Sequence, residues 1–197
     1  MPEKSPNMNA AELSVRNINC LLPIPLCYQG TEYTCGVACT QSILASYGII
    51  YKQDVLSDML KEKPLYGTDY HDIIHFFQML DFQALFHIDM NIETIKDYIN
   101  KNIAPMLLIQ SWKDDKIDYT FDWRDAHYTI ACGYCDDRII FMDPYTLGHY
   151  TFITNSELLN RWHAADPSGN HFYHCALIIN HEKLPVIYDF EEIIHQR

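Results

Sequence analysis

Long apolar runs are missing from this 197-residue chain. The longest, such as "APMLLI" and "ALII", are far too short to cross a bilayer, so no membrane span is expected. Basic charge is scarce as well. Fourteen Lys and Arg stand against 26 Asp and Glu, a formal net charge of −12. A chain so poor in cations offers no basic patch to neutralise phosphates, which argues against a nucleic-acid partner. The first residues, "MPEKSPNMNAAELS", are polar and lack the apolar core of a signal peptide. Cysteine is neither dense nor evenly framed: there are seven, an odd number, scattered along the chain. That excludes a compact secreted disulfide scaffold and fits free thiols in a reducing compartment. The expected location is the cytoplasm, or outside the cell by a route that needs no N-terminal signal. Internal repeats and a Pro/Gly/Ser-rich linker are also absent, so one folded domain is expected.

What is present is core-forming material. Hydrophobic residues make up 48% of the chain and include 14 Tyr and 9 Phe, enough for a globular fold. The first half has helical spacing. One helix is expected from Cys35, with Thr34 as N-cap and Gly48 as its stop; others are expected over 52–62, 69–80 and 91–102, with Asp69 and Asn91 as caps. The second half changes period. "APMLLIQS", "AHYTIACGY", "RIIFMDP", "GHYTFIT" and "HFYHCALII" are short, rich in β-branched and aromatic residues, and bounded by turn residues. "CGYCDDRII" reads as a hairpin, and "SELLNRWH" as a short helix capped by Ser156. Helices followed by an antiparallel sheet give an α+β arrangement. Its parts are a leader or extended segment at 1–25, the domain at 26–182 and a C-terminal extension at 183–197.

The candidate chemistry starts at "QGTEYTCGVACTQSILASYG". A thiol in the first turn of a helix sees the positive end of the helix dipole, which stabilises thiolate, the attacking form. Cys35 stands there, and Gly36 leaves room for a substrate carbonyl. Cys39, one turn further in, has the setting of a small core residue. Taken alone, Cys35 fits a buried helix-start cysteine equally well. A nucleophile needs a base, and among ten histidines His127 heads the strand "HYTIACGY". There an imidazole can exchange a proton with a thiol. Asp143, at the end of the next strand and before Pro144, is brought to the same end by the hairpin and can hold the imidazole tautomer. Gln29, six residues before Cys35, supplies a side-chain N–H donor for a tetrahedral oxyanion.

These residues, in this order, resemble the C39-like cysteine peptidases, a branch of the papain-like superfamily. The resemblance rests on "QGTEYTCGVAC", "HYTIACGY" and "IIFMDPY", extends through "GHYTFITNSELLNRW", and covers roughly residues 26–163. It implies a papain-like fold with the nucleophile helix packed on an antiparallel sheet. It also implies hydrolysis of a peptide or isopeptide bond in a protein or peptide substrate, with no metal or organic cofactor. The implied roles are nucleophile for Cys35, base for His127, orienting acid for Asp143 and oxyanion donor for Gln29. The chain departs from the family pattern at Thr34, where an Asp often precedes the nucleophile, and in 52–102, which carries no family motif.

Three other readings compete. A transglutaminase-like acyltransferase or deamidase uses the same Cys, His, Asp order. A non-catalytic binding module could keep the same geometry, with Trp112, Tyr119 and Trp123 as a partner-binding loop or simply a cover for the sheet edge. A zinc site could draw on Cys132 and Cys135, His71 and His75, or His171, His174 and Cys175, but no second CxxC completes a four-ligand set.

Overall fold

The computed structural model describes residues 18–64, 66–111, 118–166, 168–183 and 185. Residues 1–17, most of 184–197 and Trp112 lie outside the described residues, so most of the leader and C-terminal extension do too. Helices α1 (Cys35–Ser46), α2 (Gln53–Met59) and α3 (Tyr70–Met79) come first, preceded among the described residues by the two-residue strand β1 (Cys20–Leu21). Then follow β2 (Gln83–His87), α4 (Ile92–Asn100), β3 (Met106–Gln110), β4 (Ala126–Cys135), β5 (Arg138–Met142), β6 (Thr151–Thr154), α5 (Asn155–Arg161), β7 (His163–Ala165), β8 (His171–Tyr173) and β9 (Ala176–Asn180). The main sheet is antiparallel in the order β2-β9-β3-β4-β5-β6, with β1 also on β4; β7 and β8 form a separate ribbon. The fold is α+β, helices packed on an antiparallel sheet.

The strand sequences show why the sheet is covered on both faces. Successive side chains on a strand point to opposite faces. Met106 and Leu108, Ile140 and Met142, Leu177 and Ile179 belong to one core, shared with Val37, Leu44, Leu56, Ile73 and Phe76 of α1 to α3. Their neighbours Leu107, Ile109, Ile139, Phe141 and Ile178 join Ile95 and Ile99 of α4 and Leu158 of α5 in a second core. Strands buried on both sides read as continuous apolar runs, as "MLLI" and "RIIFM" do. Each fully buried Ile or Leu contributes ~1.5–3 kcal/mol. Helix α1 lies inside this packing, with every residue except Gln41 buried.

Asp69 caps α3 by accepting from the His71 N–H (2.9 Å), and Asn91 caps α4 by accepting from the Thr94 N–H (2.9 Å). Thr34 takes the N-cap position of α1, but its hydroxyl turns back to Thr31 and leaves the helix without a side-chain cap. Helix α5 begins one residue before Ser156, and Thr154 is its cap, accepting from the Glu157 N–H at 3.2 Å. The run "HFYHCALII" is two strands, because His174 adopts φ +48° between β8 and β9, a conformation His enters more readily than branched residues do. Strands β1, β2 and β7 are additional to the expected set. β1, within the segment read as leader, reaches β4 because a Cβ at Gly133 would lie 2.7 Å from the Cys20 carbonyl oxygen; only glycine admits so close an approach.

Candidate active site

The paired ladder between β4 and β5 stops at Ile130 opposite Met142. His127 and Asp143 therefore lie beyond the last rung, where the two strands part. His127 Nε2 donates to Asp143 Oδ1 at 3.1 Å, with the His side chain 4% and the Asp side chain 15% exposed. The turn after β5 holds the carboxylate in place: Tyr145 N–H also donates to Asp143 Oδ1 (3.0 Å), and Thr146 N–H to the Asp143 carbonyl (3.0 Å). With Nε2 committed to Asp143, Nδ1 remains for the thiol of Cys35, which is hydrogen-bonded to this imidazole. The structure thus brings together Cys35, His127 and Asp143, three residues separated in sequence by up to about a hundred positions.

The electrostatics of the pair run in opposite directions. Burial alone would raise the Cys35 pKa, but the His127 hydrogen bond and charge, with the backbone N–H groups of Tyr128 and Gly36, bring it below the usual thiol value. Burial alone would lower the His127 pKa, yet the hydrogen bonds to Asp143 and Cys35 push it up to about 9. The two shifts act in the same sense, each moving the pair toward thiolate and imidazolium relative to the isolated side chains. The uncapped start of α1 helps: no acidic residue stands in its first turn to compete for its N–H groups. The other cysteines differ. Burial raises Cys39 well above the thiol range and Cys175 to about 12, and it raises Cys132 as well. Cys39 is fully buried and its Sγ lies 3.4 Å from the Tyr128 carbonyl oxygen, pinning α1 to β4.

Gln29 is buried on the Asp143 side. Its backbone N–H donates to the Pro144 carbonyl (2.8 Å), and one of its two side-chain N–H bonds reaches the Thr31 carbonyl (2.8 Å). Gln29 Oε1 has no partner among the described residues. Its second amide N–H has no acceptor among the described residues.

Cys35 opens into a cleft. It is lined by Lys61, Lys63, residues 66–70 and Asp72 around the entry to α3, together with Leu108, Ala126, Tyr128, Ala164 to Asp166 and Phe172. Tyr128 and Thr68 were not singled out by sequence reasoning. Tyr128 OH donates to the Thr68 carbonyl (3.1 Å), and its ring closes on Gly36, where an added Cβ would be 3.0 Å from Tyr128 Cδ2 and 3.0 Å from Thr68 Cβ. The only sequence signals were the position of Tyr128 directly after His127 and of Thr68 before the cap Asp69.

Of the aromatic loop before His127, the described residues Tyr119 and Trp123 are not among those lining this cleft. Trp123 stacks on His171 (centroids 3.9 Å apart, 12° between planes), and Arg161 covers Tyr119 at 4.6 Å. Among the described residues no group of three or more His, Cys, Asp or Glu could hold a metal ion, and no helix is long and apolar enough to cross a membrane.

The family profile described as Peptidase C39 like family matches residues 21–170. Three solved structures share the fold. The peptidase domain of Streptococcus ComA, a bi-functional ABC transporter involved in quorum sensing, is 20% identical; the match covers 79% of this chain and 96% of that one, with a TM-score of 0.59. A putative C39-like peptidase from Bacillus anthracis is 12% identical over 86% of this chain and all of its own, with a TM-score of 0.61. A double glycine motif protease from an AMS/PCAT transporter, solved in complex with the leader peptide, is 12% identical over 85% and 96%, with a TM-score of 0.58. Among curated proteins no sequence matches.

Proposed function

Since the chain belongs to the Peptidase C39 like family, we propose that it is a cysteine peptidase that cleaves a peptide or isopeptide bond. The observation that carries this reading is the buried Cys35–His127–Asp143 relay with its opposed pKa shifts. The Cys35 thiolate attacks the substrate carbonyl carbon and forms the C–S bond, while the carbonyl π electrons move to oxygen. The resulting oxyanion takes hydrogen bonds from the Cys35 backbone N–H and the second amide N–H of Gln29. The C–N bond then breaks, and the His127 imidazolium gives its proton to the leaving amine. Neutral His127 next removes a proton from water, whose oxygen attacks the thioester, and the acid product leaves as the thiolate–imidazolium pair is restored. Asp143 accepts from His127 throughout and keeps the ring aimed at sulfur.

The leader-peptide complex of the double glycine motif protease supports a peptide as the substrate class. The test is competitive alkylation with iodoacetamide at pH 7, read by peptide mass spectrometry. Cys35 is expected to react far faster than Cys20 and Cys27, which are only partly buried. If Cys35 reacts no faster than those two, catalysis is abandoned and a non-catalytic papain-like module takes its place.

A further inference from the structure

Gln53, the first residue of α2, takes no part in the chemistry above, yet its side-chain amide is fully engaged within the protein. Its Nε2 donates to the Tyr28 carbonyl (2.6 Å) and to Gln41 Oε1 (3.0 Å), and its Oε1 accepts from the Gly30 N–H (3.0 Å). The Tyr28 carbonyl and the Gly30 N–H belong to the two peptide units on either side of the Gln29 Cα. One side chain therefore grips both. The segment 22–30 is neither helix nor strand, so side-chain bonds decide how its peptides are turned. Tyr28 and Gly30 are exposed while Gln29 between them is buried. Two other bonds tether the segment at single points, Gln29 N–H to the Pro144 carbonyl (2.8 Å) and Thr31 N–H to Thr34 Oγ1 (2.9 Å). Gln41 completes the link: it lies on α1, the Cys35 helix, and its Nε2 is fixed by the Tyr51 carbonyl (2.8 Å).

We propose that Gln53 is a positioning residue for the oxyanion site, setting Gln29 relative to the Cys35 helix so that the Gln29 amide meets the developing charge. A donor stabilises an oxyanion only if it is already in place when the charge forms. Among the described residues Gln53 alone bonds both peptide units that adjoin Gln29, and so sets their rotation. The task needs two donors and an acceptor on one planar group at the end of a two-carbon stem. A glutamine supplies these; a carboxylate would face the Tyr28 carbonyl with no proton to give. This inference rests on the peptidase reading and on the oxyanion role of Gln29.

The test compares two reactions of the Cys35 thiolate. p-Nitrophenyl acetate acylates it: the C–S bond forms through a tetrahedral oxyanion, the C–O bond breaks and p-nitrophenolate leaves. Iodoacetamide alkylates it by direct displacement of iodide, with no oxyanion. Acylation is read as the p-nitrophenolate burst at pH 7, less that of Cys35→Ala. Gln53→Met keeps the length and volume of the side chain and loses its three hydrogen bonds. It should slow acylation by roughly 5- to 100-fold, the upper end being the loss that ~1 Å of misplacement brings, and leave the alkylation rate unchanged. Gln29→Ala should slow acylation by about 10²–10³. Adding Gln53→Met to Gln29→Ala should slow it less than about twofold further, because the donor to be positioned is gone. The proposal is overturned if Gln53→Met leaves acylation unchanged, if it slows acylation and alkylation alike, or if its effect multiplies in full on Gln29→Ala. Failure of the underlying reading shows differently. No burst from Cys35 in the unmodified protein defeats the peptidase activity, and a Gln29→Ala that acylates at the unmodified rate defeats the oxyanion donor; either result removes the positioning role too.

Discussion

Replacing Asp143 with Asn removes the charge but keeps a carbonyl oxygen where Oδ1 stands 3.1 Å from His127 Nε2. Both side chains are largely shielded from water, so screening does little to weaken the charged bond. Hydrogen bonds to charged groups contribute ~1.5–3 kcal/mol, and one pKa unit corresponds to about 1.4 kcal/mol. Asp143→Asn should therefore lower the His127 pKa from about 9 by roughly 1–2 units. The sign follows from the proton: the carboxylate stabilises the imidazolium, so its loss makes deprotonation easier and shortens the alkaline end of the pH range in which the ion pair exists. The shift is measured by NMR on protein labelled with 13C at histidine, the His127 signal being assigned by its disappearance in His127→Ala. Hydrolysis by Asp143→Asn should fall less than by His127→Ala, because the imidazole stays in place and an acceptor remains. A His127 midpoint that does not move in Asp143→Asn would refute the coupling.

Three further substitutions separate the parts of the site. Gly36→Ala puts a methyl 3.0 Å from Thr68 Cβ and Tyr128 Cδ2; it should cost ~1–3 kcal/mol of stability, read by urea unfolding, and slow Cys35 alkylation. Gln29→Ala should lower kcat by about 10²–10³ if its amide serves the oxyanion, with the iodoacetamide rate of Cys35 unchanged. Cys39→Ala should cost ~0.5–3 kcal/mol through the vacated core space while Cys35 alkylation keeps its rate, which distinguishes the two cysteines of α1.

The parts of this molecule legible in its sequence were those with a local signature. The α3 and α4 caps Asp69 and Asn91 stood directly before periodic apolar stretches and fold as read. The central strands were legible through their β-branched and aromatic content and the turn residues that bound them, though not their burial on both faces, and the hairpin between β4 and β5 through its Cys-Asp-Asp turn. The spatial meeting of Cys35, His127 and Asp143 was legible only because strand and helix ends could be placed first. What escaped depends on contacts between distant segments. β1 is two residues long and owes its pairing to a bare Gly133 more than a hundred residues away. β2 lies at the sheet edge with Leu85 exposed, so its alternation carries little hydrophobic signal. Thr34 has the composition of a cap, yet Thr31 lies close enough to take its hydroxyl. Thr68 and Tyr128 belong to the cleft only because one phenol spans 60 positions of sequence.

Turnover is the most direct measure of the central claim. The protein and its Cys35→Ala variant, incubated with a diverse peptide library at neutral pH and compared by mass spectrometry of new termini, should differ completely. The protein should generate cleavage products at a preferred motif, and the variant, with its fold intact by circular dichroism, should generate none. Products of the same sequence and yield from Cys35→Ala would contradict the account.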